Sequence, residues 1–169
     1  MNKTLLKKAI ASLSIIDVTL LKLKVEIKDD FDALHPYCEQ MIAQFKHGPD
    51  SAHVSAVAEN SEGEEKRILR AYYNCAFRLI ENAFDGDPPV DEAKLADKIL
   101  VVVEAKFCAY YWMKEDISED AIDEFVTNNV GYHVWPYWRE LATSTAMRIR
   151  IPPVIPPLYT VPQDAQKTE

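Results

Sequence analysis

Three cysteines (Cys38, Cys75, Cys108) and four histidines (His35, His47, His53, His133) are the side chains that could hold a metal or supply a nucleophile, and their spacing suits neither. The cysteines are odd in number, far apart and lack any C-x-x-C pair, which argues against a disulfide framework and against a zinc knuckle. No histidine pair has metal-binding spacing, so each reads as a surface or core-edge residue. Four glycines in the whole chain leave little material for a phosphate-cradling loop, and no G-x-G-x-x-G, P-loop or nucleophile elbow is present. The carboxylates fall mostly in loops and at helix starts, where a solvated face accounts for them. The expectation is a protein that is not an enzyme and uses no cofactor or metal. What remains is the chemistry of apolar contact, concentrated in the rings Trp135, Tyr137 and Trp138 around Pro136. Rings of this size bury a large area, and Trp and Tyr add a polar handle.

The element that must carry those rings is a late helix. Pro136 suits a first helical position, where its missing N–H is no loss, and the helix is therefore expected to open there. From that point Tyr137, Trp138, Leu141, Ala142, Thr145 and Ile149 recur at spacings of three and four, giving one apolar side. The helix is expected to stop before Ile151-Pro152-Pro153. A smaller helix precedes it, with Ser118 as N-cap, Glu119 and Asp120 in the first turn, and Ile122, Phe125 and Val126 on the buried side; Asn128-Asn129 ends it. Gly131 then marks a point of positive φ or close approach. The segment Ile151–Tyr159, with four prolines, is expected to lie extended in the polyproline conformation against the body, and 160–169 to be disordered.

Most of the chain before that reads as sheet. A short amphipathic helix from Asn2 or Thr4 to about Ile10 is followed by a strand from Leu13 to Lys28. There Thr19, Leu21, Leu23, Val25 and Ile27 point one way and Leu20, Lys22, Lys24, Glu26 and Lys28 the other, a half-buried strand with a lysine-rich outer face. Pro36 suggests a short helix carrying Cys38, Met41, Ile42 and Phe45, with an irregular crossing as the alternative. Ala52–Glu59 reads as a short strand before the turn Asn60-Ser61-Glu62-Gly63. Glu65–Asn82 alternates with Leu69, Ala71, Tyr73, Cys75, Phe77 and Leu79 on one face. Residues 83–97 read as a long mobile connection. Lys98–Lys114 is the strongest strand: Ile99, Val101, Val103, Ala105, Phe107, Ala109 and Tyr111 share one face, and Leu100, Val102, Glu104, Lys106, Cys108, Tyr110 and Trp112 the other, which is only partly polar. The sum is an α+β domain, sheet early and helices late, with edges and a partly apolar outer face that predict an oligomer.

At 169 residues the chain is one domain by length, here 1–159 with a tail, and large enough to bury roughly two thirds of its unfolded surface. A net charge of −8 and a pI near 5.0 argue against wrapping nucleic acid or an anionic membrane. No apolar run is long enough for membrane insertion or a signal peptide, and free thiols fit a reducing cytoplasm.

One run is more specific. Phe125 through Asn128, Gly131 and Tyr132, then Val134-Trp135-Pro136-Tyr137-Trp138-Arg139-Glu140, a helix, and IRIPPVIPPLY resembles the SecB-like export chaperones. In that family an aromatic or aliphatic residue precedes Pro-Tyr-x-Arg-Glu, a long helix and a proline-bearing segment ending in an apolar residue; the matching positions are Trp135, Pro136, Tyr137, Arg139, Glu140, Pro152, Pro153, Pro156 and Leu158. The order of elements matches from about Leu13 to Tyr159. The resemblance implies a four-stranded antiparallel sheet with C-terminal helices packed on one face, assembled as a dimer of dimers, with no catalysis. It implies binding of unfolded or nascent polypeptides in apolar grooves, and in the export branch delivery to the SecA motor. Phe107, Tyr111, Trp112, Trp135, Tyr137, Trp138 and Leu141 are the expected client-binding residues, each with packing in the core or at a subunit interface as the alternative. Arg139 and Glu140 are expected to orient the helix. Two departures stand out. Lys22, Lys24 and Lys28, opposed only by Glu26, replace the acidic outer face that the motor binds in export members, and 29–48 and 82–97 carry extra material. Family members without a general export role serve as dedicated chaperones, including for the antitoxin of a toxin-antitoxin pair. The competing expectation is a non-enzymatic adaptor for one folded partner.

Overall fold

Period-two alternation over long stretches dictates a sheet, and the computed structural model, which describes residues 1–32, 34, 41–58, 65–81 and 95–160, contains one. Strands β1 (Leu13–Ile27), β2 (Met41–Ala58), β3 (Glu65–Glu81) and β4 (Ile99–Met113) form a four-stranded antiparallel sheet in the order β1-β4-β3-β2. Helices α1 (Lys3–Ser12), α2 (Glu119–Asn128) and α3 (Val130–Arg148) complete it, and α2 and α3 pack over one face of the sheet. The α+β architecture expected from the sequence is therefore present.

β3 and β4 sit in the middle, so their inward faces must be apolar without interruption. Leu69, Ala71, Tyr73, Cys75, Phe77 and Leu79 of β3 are all buried, as are Val101, Val103, Ala105, Phe107, Ala109 and Tyr111 of β4. Each large side chain among them contributes about 1.5–3 kcal/mol of burial. The low β-branched content of β3 does not turn it into a helix, because only the extended period puts all six apolar residues on one side. The starts of α1 and α2 are capped as their sequences allow. Asn2 Oδ1 accepts from the backbone N–H of Thr4 and Leu5, and Ser118 Oγ accepts from that of Ala121.

Four expectations need correction. Met41–Gly48 is strand, not helix; it belongs to one 18-residue β2 that also absorbs the short strand expected at Ala52. Pro49 and Gly48 mimic a break, but β2 is an edge strand, and the register shift between Pro49 and Ser51 accommodates the missing N–H. Cys38 and Pro36 lie outside the described residues.

β1 is also not a simple alternating ribbon. Register shifts between Ile15 and Asp17 and between Leu20 and Lys22 move Leu20 onto the helix-side face with Leu23, Val25 and Ile27, opposite Phe107, Ala105, Val103 and Val101. Thr19 joins Lys22, Lys24 and Glu26 on the other face. From Thr19 to Ile27 every residue is exposed, so this half of β1 is uncovered rather than half-buried.

The third correction is the start of α3. It begins at Val130, and Pro136 lies inside it, because Val130, Gly131, Val134 and Trp135 bury a full extra turn against the sheet. Pro136 is exposed, which confines the disturbed hydrogen bond to the solvent side. The fourth concerns Lys98, which ends a short 3₁₀ turn, Ala96–Lys98, instead of opening β4. The connection expected at 83–97 is otherwise outside the described residues, as is the tail from 161.

Candidate functional site

The aromatic run of α3 is positioned by two neighbours, the sheet beneath it and the proline segment beside it. Trp138 is fully buried against Phe77, with ring centroids 6.1 Å apart, and its Nε1–H has no hydrogen-bond partner among the described residues. Trp135 is buried too, and its Nε1–H donates to the Pro157 carbonyl at 2.8 Å. Two turns further on, the Thr143 hydroxyl lies within donating distance of both the Arg139 carbonyl of its own helix, at 2.9 Å, and the Val154 carbonyl, at 3.1 Å. Residues 135, 139 and 143 share one flank of a helix, so the segment 151–159 runs along that flank. Ile151 and Val154 insert into the core.

Tyr159 closes the strap. Its ring lies 5.5 Å from Trp135 and 5.7 Å from His47, and His47 Nδ1 shares a hydrogen bond of 2.8 Å with the Tyr73 hydroxyl. Both tyrosine hydroxyls converge on Gly131, where any Cβ would collide with them. This is the close approach expected at that glycine. Burial sets the electrostatics here: it raises the Tyr73, Tyr111 and Tyr159 hydroxyls above their ordinary range, pushes the Cys75 thiol up to about 12, and lowers His47 and His133. At neutral pH these groups are uncharged, and the Cys75 thiol is held in its unreactive protonated form. Tyr111, which shares a hydrogen bond of 2.9 Å with His133 Nδ1, stacks edge-on against Phe125 at 5.0 Å.

The opposite flank of α3 carries Tyr137 and Leu141, two positions from the strap-binding residues and so some 200° around the helix. Tyr137 is 47% exposed and Leu141 half-buried. α3 touches all four strands. Because the strap lies on the β2 side, this flank looks toward β1, where Leu20, Leu23, Val25 and Ile27 are each more than a third exposed on the same sheet face. An apolar strip therefore runs from α3 to the free edge of β1. On the strap side, Met41, Phe45 and Leu79 face Pro152–Ile155 across a cleft of about 530 Å³.

The seven residues singled out from the sequence thus separate into three groups. Phe107, Tyr111, Trp135 and Trp138 are in the core under α3; Tyr137 and Leu141 are at the apolar strip; Trp112 is half-buried on the other sheet face, with Lys66 Nζ 5.5 Å from its ring. The strip's β1 half was missing from the sequence expectation for the site. Its signal is the run Leu20-Leu21-x-Leu23-x-Val25-x-Ile27, which alternation alone assigns to an ordinary buried face. Among the described residues no group of three or more His, Cys, Asp or Glu side chains could hold a metal, and no helix is long and apolar enough to cross a membrane.

No family model matches the chain, and no curated protein matches it. Among solved structures it is similar to the SecB-like chaperone Rv1957 of Mycobacterium tuberculosis, solved in complex with a peptide from the HigA1 antitoxin. The TM-score is 0.68 with 14% identity, over 95% of this chain and all of the other. A protein of unknown function from Streptococcus agalactiae matches at a TM-score of 0.36 with 8% identity, over 86% of this chain and 97% of the other. The first establishes a SecB-like fold.

Proposed function

We propose that the chain is a SecB-like, ATP-independent holdase that binds unfolded polypeptide in the cytoplasm as a homo-oligomer. The observation that carries the reading is the open apolar strip between Tyr137 and Leu141 of α3 and Leu20, Leu23, Val25 and Ile27 of β1. A soluble chain leaves so many aliphatic side chains in one place when something is to cover them. Contact through area, without fixed polar groups, tolerates many client sequences. In this reading Tyr137 and Leu141 touch the client, and Phe107, Tyr111, Trp135 and Trp138 form the wall beneath.

The edge of β1, 15 residues long and without an edge-blocking proline, is where a second copy would pair to make a dimer, two of which associate through a further surface as the dimer of dimers. The antitoxin peptide bound by the mycobacterial relative favours a dedicated client of that kind for this chain. Lys22 and Lys24 on the outer face disfavour delivery to a motor that needs acidic residues there.

The test is suppression of aggregation of several unrelated denatured clients without nucleotide, followed by light scattering, together with binding to an array of unfolded peptides. Activity that falls severalfold in Tyr137→Ser and Leu141→Ser variants of unchanged oligomeric size supports the proposal. Failure in both assays overturns it. A single stoichiometric folded partner, with no suppression of aggregation, would instead establish an adaptor.

A further inference from the structure

The sheet face turned away from the helices has a charge opposite to that of the whole molecule. By strand register it carries Lys22 and Lys24 of β1, Lys46 of β2, Lys66, Arg70 and Arg78 of β3 and Lys106 of β4. Against these seven cations the described residues place four anions on this face, Asp17, Glu26, Asp50 and Glu104, on a chain of net charge −8. Lys22, Lys24, Lys46 and Lys106 converge with Asn74 and Gly48 around a shallow concavity of about 410 Å³ to which all four strands contribute. Asp50 neutralises Lys106 at 2.8 Å and Glu26 neutralises Lys24 at 2.8 Å, whereas Lys22 and Lys46, on the two edge strands, have no acidic partner among the described residues. Two exposed ammonium groups are thus left unpaired on opposite sides of the concavity.

Rings flank this site. Lys106 Nζ lies 5.1 Å from the Tyr72 ring and the Arg70 guanidinium 6.0 Å from Tyr110, and Tyr72, Tyr110 and Trp112 are all half-buried. Cation-capped rings hold the basic groups upright on the sheet and leave amphipathic ring edges available.

We infer that this outer face is an interaction surface for an acidic segment of a partner protein, with carboxylates seated on Lys22 and Lys46 and apolar side chains against Tyr72 and Tyr110. A nucleic acid fits less well. Its phosphates follow one another at fixed short intervals and would meet Asp50, Glu104 and Glu26 as well as the lysines, and cations already cap the rings that bases would stack on. A polypeptide can space its carboxylates to avoid those anions. The surface is separate from the apolar strip on the helix side, so this inference stands or falls independently of the holdase reading.

The experiment is fluorescence anisotropy of the full chain with a labelled peptide in which glutamates alternate with leucine and tyrosine, run against a labelled single-stranded oligonucleotide of equal charge. The expected result is peptide binding that weakens with added salt, exceeds binding of the oligonucleotide, and falls about tenfold or more in Lys22→Glu/Lys46→Glu, with a smaller loss in Lys22→Gln/Lys46→Gln. Both positions are exposed, and unchanged circular dichroism verifies that the variants fold. No peptide binding, binding indifferent to the charge reversal, or tighter binding of the oligonucleotide overturns the inference. So does low-salt self-association of the protein alone that the reversal abolishes, since a second copy would then be the occupant.

Discussion

Gly131→Ala is the most informative single change, because helix propensity and tertiary packing predict opposite signs for it. Gly131 lies in the first turn of α3, and in an unencumbered helix alanine would stabilise by about 1 kcal/mol over glycine. Here the new methyl would meet Tyr73 Oη, Tyr159 Oη and Tyr159 Cε2, all closer than 3.0 Å. Tyr73 is fully buried and tied to His47 Nδ1, so it has little room, and relief falls mainly on Tyr159 at the end of the strap. Overpacking of a filled site costs about 1–3 kcal/mol, and three simultaneous contacts place this case near the top of that range. The net expectation is a loss of about 2 kcal/mol in urea unfolding, with Trp135 fluorescence reporting release of the strap. In a Tyr73→Phe background, which removes the nearer hydroxyl, the cost of Gly131→Ala should shrink by about 1 kcal/mol, the coupling expected of residues in contact. A neutral or stabilised Gly131→Ala protein would refute the packing of strap and β3 against this turn.

Two further outcomes follow from the same elements. Pro136→Ala restores an N–H for the carbonyl one turn earlier on an exposed face, and should stabilise by about 1–3 kcal/mol in urea unfolding; destabilisation would mean that the proline helps to seat the rings. His47 and His133 have folded-state pKa values below the ordinary 6.5 because burial disfavours the imidazolium. The unfolded chain therefore binds more protons as pH drops through 6.5, so the stability these groups allow is complete above that value and is lost below it, levelling off once the folded-state pKa is passed. A His47→Asn/His133→Asn protein should show a flatter midpoint between pH 7.5 and 5.5 than the parent, and equal slopes would refute the assignment.

Strand and helix types were legible wherever one period dominates over a long stretch. β3 and β4 are of this kind, since their six inward residues can share a face only in an extended chain, and so are the Ser118 cap and the end of α3 before Pro152. The ring cluster of α3 was legible as a site candidate because Trp and Tyr at helical spacing must lie against something. Three features depend on what the chain meets in space. Met41, Ile42 and Phe45 read as part of a short helix and Ala52–Glu59 as a separate strand, yet Met41–Ala58 is one edge strand whose register shift accommodates Pro49. Pro136 reads as a helix start, yet burial of Val130, Val134 and Trp135 outweighs one lost hydrogen bond on the solvent side. β1 reads as half-buried, yet two register shifts turn Leu20, Leu23, Val25 and Ile27 onto the helix-side face, where each stays more than a third exposed. Local sequence determined which residues are apolar and at what period. The tertiary arrangement decided which apolar residues become core and which remain as surface, because burial depends on the neighbouring layer, and no single segment encodes where that layer ends.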